Sequence, residues 1–191
     1  MTKVVSMVLC GTVAASVLCA QAVTENSGPK QATYVSAEEV QAVLKSLPPA
    51  ADKQIKVVDT GKYNVGVGIL HRGKISPRAD GSVPGIAHHN ITEAYVIISG
   101  SGILVTGGTI EGGTEVPADG EIVRVVAGPS VSGAVKTGFA KRPVKTGDVV
   151  VIPPDVFHGW AEVEDHIDYV SVRPDPNRVL PAGYVNPAIK K

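Results

Sequence analysis

The sequence predicts an antiparallel all-β fold, a sandwich or a barrel, with one helix near its N-terminal end. Three observations lead there. From Lys53 onward, short β-prone runs recur and are broken by Gly, Pro, Asp or Asn. The 191 residues include 21 glycines and 14 prolines, which favour many turns over long helices. Only one segment spaces its apolar residues at the helical period, so strands outnumber helices and must pack on one another.

Residues 1–22 read as a signal peptide. Lys3 supplies a positive start, an apolar run follows, and Ala20-Gln21-Ala22 has the small-x-small pattern of a cleavage site. An uncleaved anchor helix is the alternative. Cleavage after Ala22 removes both cysteines, Cys10 and Cys19, so the mature chain has no disulfide in a secreted or periplasmic location. Eighteen basic residues balance eighteen acidic ones, which argues against nucleic acid and, once the signal peptide is gone, against membranes as partners.

Residues 23–52 form an N-terminal segment with a helix over 37–47. Ser36 and Glu39 make a capping-box pattern, Val40, Val43, Leu44 and Leu47 share a face, and Pro48-Pro49 ends it. Residues 53–174 form the β unit, with strands expected in "QIKVVDTG", "YNVGVGILHRG", "EAYVIISG", "GILVTGG", "EIVRVVAG", "DVVVIPP" and "IDYVSVRP". The glycine- and threonine-rich stretch 107–120 is an excursion between strands. Residues 175–191 read as an extended tail over the surface or a partner subunit.

The stretch "AHHNITEAYVIISGSG" carries the chemistry. Alternation places His89, Glu93 and Tyr95 on one face, with His88 opposite unless a bulge intervenes. A buried glutamate in such a strand calls for a cation. "GDVVVIPPDVFHGW" adds a turn at Gly147, a proline stop and then His158, which completes two histidines and a carboxylate if the two strands pair. Trp160 would share the inward face of His158 and wall a ligand pocket, or else serve as core. His71, Arg72 and Lys74 read as a solvated rim, with an anion-binding edge as the alternative, and His166 reads as a surface residue.

At these residues the chain resembles a small single-domain metal-binding cupin. The first cupin motif, G-x5-H-x-H-x3-4-E-x6-G, is matched at Glu93 and Gly100, and His88 and His89 fit its two permitted spacings. The second, G-x5-P-x-G-x2-H-x3-N, is matched at Gly147, Pro153 and His158. The chain departs from the pattern where Ile86 or Ala87 stands for the first histidine, Asp155 for a glycine and Glu162 for the asparagine.

The resemblance implies a cupin-type antiparallel β-barrel (a double-stranded β-helix or jelly roll). It also implies a divalent metal (Fe, Mn, Ni, Zn or Cu) held by His158, Glu93 and one or both of His88 and His89. Tyr95 is the candidate catalytic donor, to a bound carboxylate or oxygen, or else a packing aromatic. Dioxygenase, lyase or isomerase chemistry on a small molecule follows as an expectation, with a non-catalytic small-molecule or sugar-binding module as the alternative. Exposed barrel edges point to a homodimer.

Mass spectrometry of the exported protein is expected to find an N-terminus at Val23. An intact Met1 in a cytosolic fraction would refute the signal peptide.

Overall fold

The computed structural model describes residues 29, 31–48 and 51–189. The signal-peptide expectation, with Cys10 and Cys19, lies outside the described residues.

The expected helix is present as α1, Ala37–Lys45. Both halves of the capping box form: the Glu39 amide donates to Ser36 Oγ at 3.3 Å, and the Ser36 amide to Glu39 Oε2 at 3.0 Å. It stops two residues before 47, because the Ser46 hydroxyl folds back on the Val43 carbonyl at 2.7 Å. Val43 packs with Ile55 and Ile69 on the outside of the first two strands, so the helix braces the sheet.

Ten strands follow: β1 Ala51–Asp59, β2 Asn64–Arg72, β3 Val83–His88, β4 Glu93–Gly107, β5 Glu111–Glu115, β6 Ser130–Val135, β7 Phe139–Lys145, β8 Val149–Ile152, β9 His158–Glu162 and β10 Ile167–Asp175. Every pairing is antiparallel. One layer runs β1-β2-β10-β4-β8, and the other runs from β7 and β4 through β9 and β3 to β6 and β5. Among the described residues the architecture is therefore the antiparallel all-β fold with one α-helix.

The first half of β4 pairs β10 and β8, and the second half pairs β7 and β9, so one strand belongs to both layers. The two runs expected as separate strands, "EAYVIISG" and "GILVTGG", are this single strand turned at Gly100. Gly100 has φ 74°, and a Cβ there would stand 1.9 Å from the His166 carbonyl oxygen. The corner needs glycine for both conformation and space.

One expected strand is absent. "EIVRVVAG" instead forms a single π-helical turn, Ile122–Val126. A turn at Pro117–Gly120 leads into it, and the Arg124 amide bonds back to the Gly120 carbonyl at 3.0 Å. Local hydrogen bonds thus outcompete the β-branched propensity.

Strands β3, β5, β6, β7 and β9 were not expected, β5 lying within the stretch 107–120 expected as an excursion between strands, and each carries a proline or glycine that breaks the sequence pattern. Two of those glycines let β3 and β9 cross closely: a Cβ at Gly85 would lie 2.2 Å from the His158 carbonyl oxygen, and one at Gly159 2.2 Å from that of Pro84. The barrel interior holds Tyr95, Ile97, Leu104, Trp160 and Tyr169 in one cluster and Val83, Val105, Val135 and Phe157 in another. The tail returns along β1 of its own barrel, where the Asn186 side chain donates to the Gln54 carbonyl and Val185 bridges Lys56.

Replacing Gly100 by alanine is expected to cost roughly 1–3 kcal/mol from the left-handed backbone alone, with the carbonyl clash added. A urea midpoint unchanged from wild type would refute the corner.

Candidate metal centre

His88 is the last residue of β3, Glu93 the first of β4, and His158 the first of β9. Each is almost wholly buried, and one ligand atom from each lies within 4.8 Å of the others. Glu93 Oε2 is 3.3 Å from His88 Nε2 and 3.1 Å from His158 Nε2. The β3–β9 crossing makes this meeting, since Ile86 pairs directly with His158.

The hydrogen bonds fix the histidine tautomers. Ser130 Oγ gives its one proton to the Gly128 carbonyl at 2.7 Å, so it must accept from His88 Nδ1–H, also at 2.7 Å. The Val156 carbonyl can only accept, so His158 Nδ1, 3.0 Å away, carries the proton there. In this tautomer a neutral ring keeps its lone pair on Nε2, the atom that faces Glu93. Burial holds the His88 pKa below its ordinary value and so favours the neutral ring.

Glu93 divides its two oxygens. Oε1 accepts from Ser171 Oγ at 2.8 Å and from Arg173 Nε at 2.8 Å. Oε2 accepts from the Tyr95 hydroxyl at 2.9 Å and faces both histidines. Burial is the largest influence and opposes the carboxylate charge, but the Arg173 guanidinium together with the neighbouring His158 and His88 outweighs it and holds the carboxyl well below the usual range. Burial pushes the Tyr95 hydroxyl well above its ordinary pKa, so Tyr95 keeps the proton it donates.

His89 stands apart from this cluster. Strand β3 ends at His88, and residues 89–92 form a bend and loop, so alternation counted back from Glu93 does not carry across it. His89 instead lies 2.7 Å from Asp155 and 3.3 Å from Glu115. The Asp155 carboxylate raises its pKa and favours the charged ring, which has no lone pair to offer. Asp155 itself has φ 60°, the left-handed conformation for which the motif's glycine is suited. Ile86 lies two residues before His88, on the same face of β3, and puts an apolar side chain where the motif has its first histidine.

A cavity of about 540 Å³ adjoins the cluster. His88, His158 and Tyr95 line it, Trp160 walls it, and Leu70 and Leu104 extend its apolar part. The Trp160 indole donates to the Tyr169 hydroxyl at 3.0 Å. His71 pairs with Asp168 at 2.6 Å, and His166 with Asp165 and Ser99, all away from the cluster.

Sequence reasoning missed Arg173, Asp52, Gln54 and Ser171. A signal for two of them existed: alternation from Ile167 puts Tyr169, Ser171, Arg173 and Asp175 on one face, and that whole face is buried.

No protein-family model and no curated protein sequence matches the chain. Solved structures that it is similar to include a recombinant oxalate oxidase in complex with glycolate, at 19% identity and TM-score 0.38 over 69% of this chain. The match spans 54% of that protein, so this chain corresponds to about half of its length. A protein with a double-stranded β-helix domain from Klebsiella pneumoniae matches at 16% identity and TM-score 0.39, over 77% of this chain and 93% of its own. A cupin 2 conserved barrel domain protein from Salinispora arenicola matches at 16% identity and TM-score 0.36, over 66% and 76%. These values are low, and the site is read from its own residues.

Proposed function

We propose that this chain is an exported cupin that holds one divalent metal through His88, Glu93 and His158, and that it acts on a small organic molecule in the adjoining cavity. One observation carries the reading. With both rings neutral, two Nε2 lone pairs and a carboxylate oxygen face one another in a buried space, and each imidazole has its other nitrogen committed to a hydrogen bond. Three acceptors in that arrangement repel unless a cation or a proton lies between them. Outer hydrogen bonds of this kind, Ser130 on His88 and the Val156 carbonyl on His158, orient metal-binding imidazoles.

The ligand set of two histidines and one carboxylate suits Fe, Mn, Ni, Zn or Cu and leaves coordination positions open. When bound, the metal supplies Lewis-acid or oxygen-activating chemistry. The protein's own residues do the rest. Arg173 and Ser171 anchor Oε1 and so turn Oε2 toward the histidines, while Tyr95 holds a proton against Oε2 and fixes the carboxylate plane. Tyr95 is thereby a positioning residue. The apolar wall of Leu70, Leu104 and Trp160 limits water beside the cluster. An enzyme is favoured over a binding module, because a buried carboxylate held by an arginine is costly to keep for packing alone.

The reading includes a homodimer. Edge strand β8 leaves Val149 and Val151 61% and 64% exposed, an apolar surface that a second copy would cover. Light scattering at micromolar concentration is expected to give twice the chain mass, and a monomer would refute the pairing.

Elemental analysis of the purified protein is expected to find one divalent metal per chain. His88→Ala, His158→Ala and Glu93→Gln should each lower occupancy sharply, while His89→Ala keeps it. Chelation should also lower stability, by about 4 kcal/mol where free metal stands at a thousand times its dissociation constant. A metal-free wild type, or a His158→Ala variant with full occupancy, would overturn the metal and leave a binding barrel.

A further inference from the structure

We propose that the cavity beside the cluster receives a small organic acid bearing a hydroxyl group, with Arg72 and Tyr169 holding its carboxylate and Asp52 accepting from its hydroxyl. The inference rests on the reading that this cavity is a ligand site, and is independent of the metal.

The cationic end comes from β2. Arg72 is half-buried and lines the cavity. Its Nη1 donates to the carbonyls of Ala51 at 3.0 Å and His71 at 2.9 Å. Two carbonyls hold the guanidinium in place without cancelling its charge. The arginine ion pairs among the described residues belong to Arg173 and Arg178, so Arg72 and the rim residue Arg78 bring uncompensated positive charge to this wall. A planar guanidinium held this way matches a carboxylate.

Tyr169 adds a second donor. Its hydroxyl oxygen already accepts from the Trp160 indole, which leaves its own proton for a ligand. Burial pushes its pKa up to about 12, so the proton stays.

The acceptor end comes from β1. Asp52 pairs with Leu70, two residues before Arg72, so the two polar groups sit at neighbouring positions of one wall. Asp52 Oδ2 accepts from Arg173 Nη2 at 2.6 Å, while Oδ1 is buried and has no hydrogen-bond partner. An orphaned buried carboxylate oxygen is rare in folded proteins and calls for a donor. Arg173 fixes this carboxylate as it fixes Glu93, so Oδ1 is a preorganised acceptor. The remainder of the cavity is apolar and aromatic, with Leu70, Ile86, Leu104 and Trp160, and its volume of about 540 Å³ accommodates a ring with a short polar arm.

Trp160 is the only tryptophan of the chain and lines the cavity, so its fluorescence reports occupancy directly. The mature protein, as purified and after chelation, is titrated with mandelate, with phenylacetate, which lacks the hydroxyl, and with 1-phenyl-1,2-ethanediol, which lacks the carboxylate. Mandelate is expected to bind at least about ten-fold tighter than either, the value of one charge-assisted hydrogen bond. Arg72→Gln should bring mandelate down to the diol, Arg72→Lys should retain part of the preference, and Asp52→Asn should erase the advantage over phenylacetate. Should Asp52→Asn fail to fold, the three probes on wild type and Arg72→Gln still decide. The inference is overturned if mandelate gives no change at millimolar concentration, binds no tighter than the diol, or binds Arg72→Gln as it binds wild type. A protein that holds no metal yet ranks the probes as expected refutes the metal and sustains this site; a metal-loaded protein without the ranking does the reverse.

Discussion

The ion pair of Arg173 with Glu93 is the constraint on which the rest of the barrel interior depends. Both side chains are essentially without solvent exposure, where a charge is tolerated only if paired and hydrogen-bonded. Arg173 meets that requirement from three directions. Beyond Glu93 it reaches Asp52 on β1, the Gln54 side chain at 2.9 Å and the Val126 carbonyl at 3.2 Å. One guanidinium thus joins β10, β4, β1 and the π-helical turn. Its planar fork is suited to this, because it distributes several donors in fixed directions. Loss of Arg173 would leave both carboxylates without a counter-charge, whereas loss of Glu93 would leave the guanidinium paired with Asp52 alone.

That constraint sets the geometry of the cluster. Because Arg173 and Ser171 occupy Oε1, Glu93 has one orientation, and Oε2 faces the place where β3 and β9 cross. The crossing is a matter of backbone space. Gly85 and Gly159 allow the two strands to approach until the His158 and Pro84 carbonyls occupy the room a side chain would take. A residue with a Cβ at either position would push His158 away from His88. The corner at Gly100 is the other requirement, since it carries β4 from the layer holding Arg173 to the layer holding His158.

Much of this was legible in the sequence, and the remainder was hidden for physical reasons. The helix could be read because its cap and its apolar stripe are both local. Glu93 and His158 could be read because the spacing of a carboxylate, two turns and a histidine is itself a pattern. The choice between His88 and His89 could not, because it depends on where β3 ends, and alternation has no meaning across the loop at 89–92. Strands β3 and β9 were invisible because Pro84, Gly85 and Gly159 look like breakers in one dimension, yet in three they are what close packing requires. The π-helical turn was misread as a strand because β-branched residues favour strands only where a partner strand is available. Arg173 was within reach. An arginine two places beyond a serine, on a face that starts with Ile167 and Tyr169, is an inward charge, and an inward charge demands a partner.

The inventory of buried charge carries the argument one step further. Around the cluster, two carboxylates, Glu93 and Asp52, share the Arg173 guanidinium, so this ion-paired group carries one excess negative charge, with Arg72 set apart on the cavity wall. A proton on one of the histidines would balance it, but that proton would have to sit on Nε2 of a ring whose Nδ1–H is already committed, making an imidazolium where burial disfavours one at His88. A divalent cation meets the same need with the rings neutral and the hydrogen bonds to Ser130 and Val156 intact. It would also leave the site with a net positive charge facing a cavity that already contains Arg72. Charge balance at Glu93 and ligand preference at Arg72 then act in the same direction: a cation held in the deeper layer would add to the anion preference that Arg72 by itself gives the outer layer.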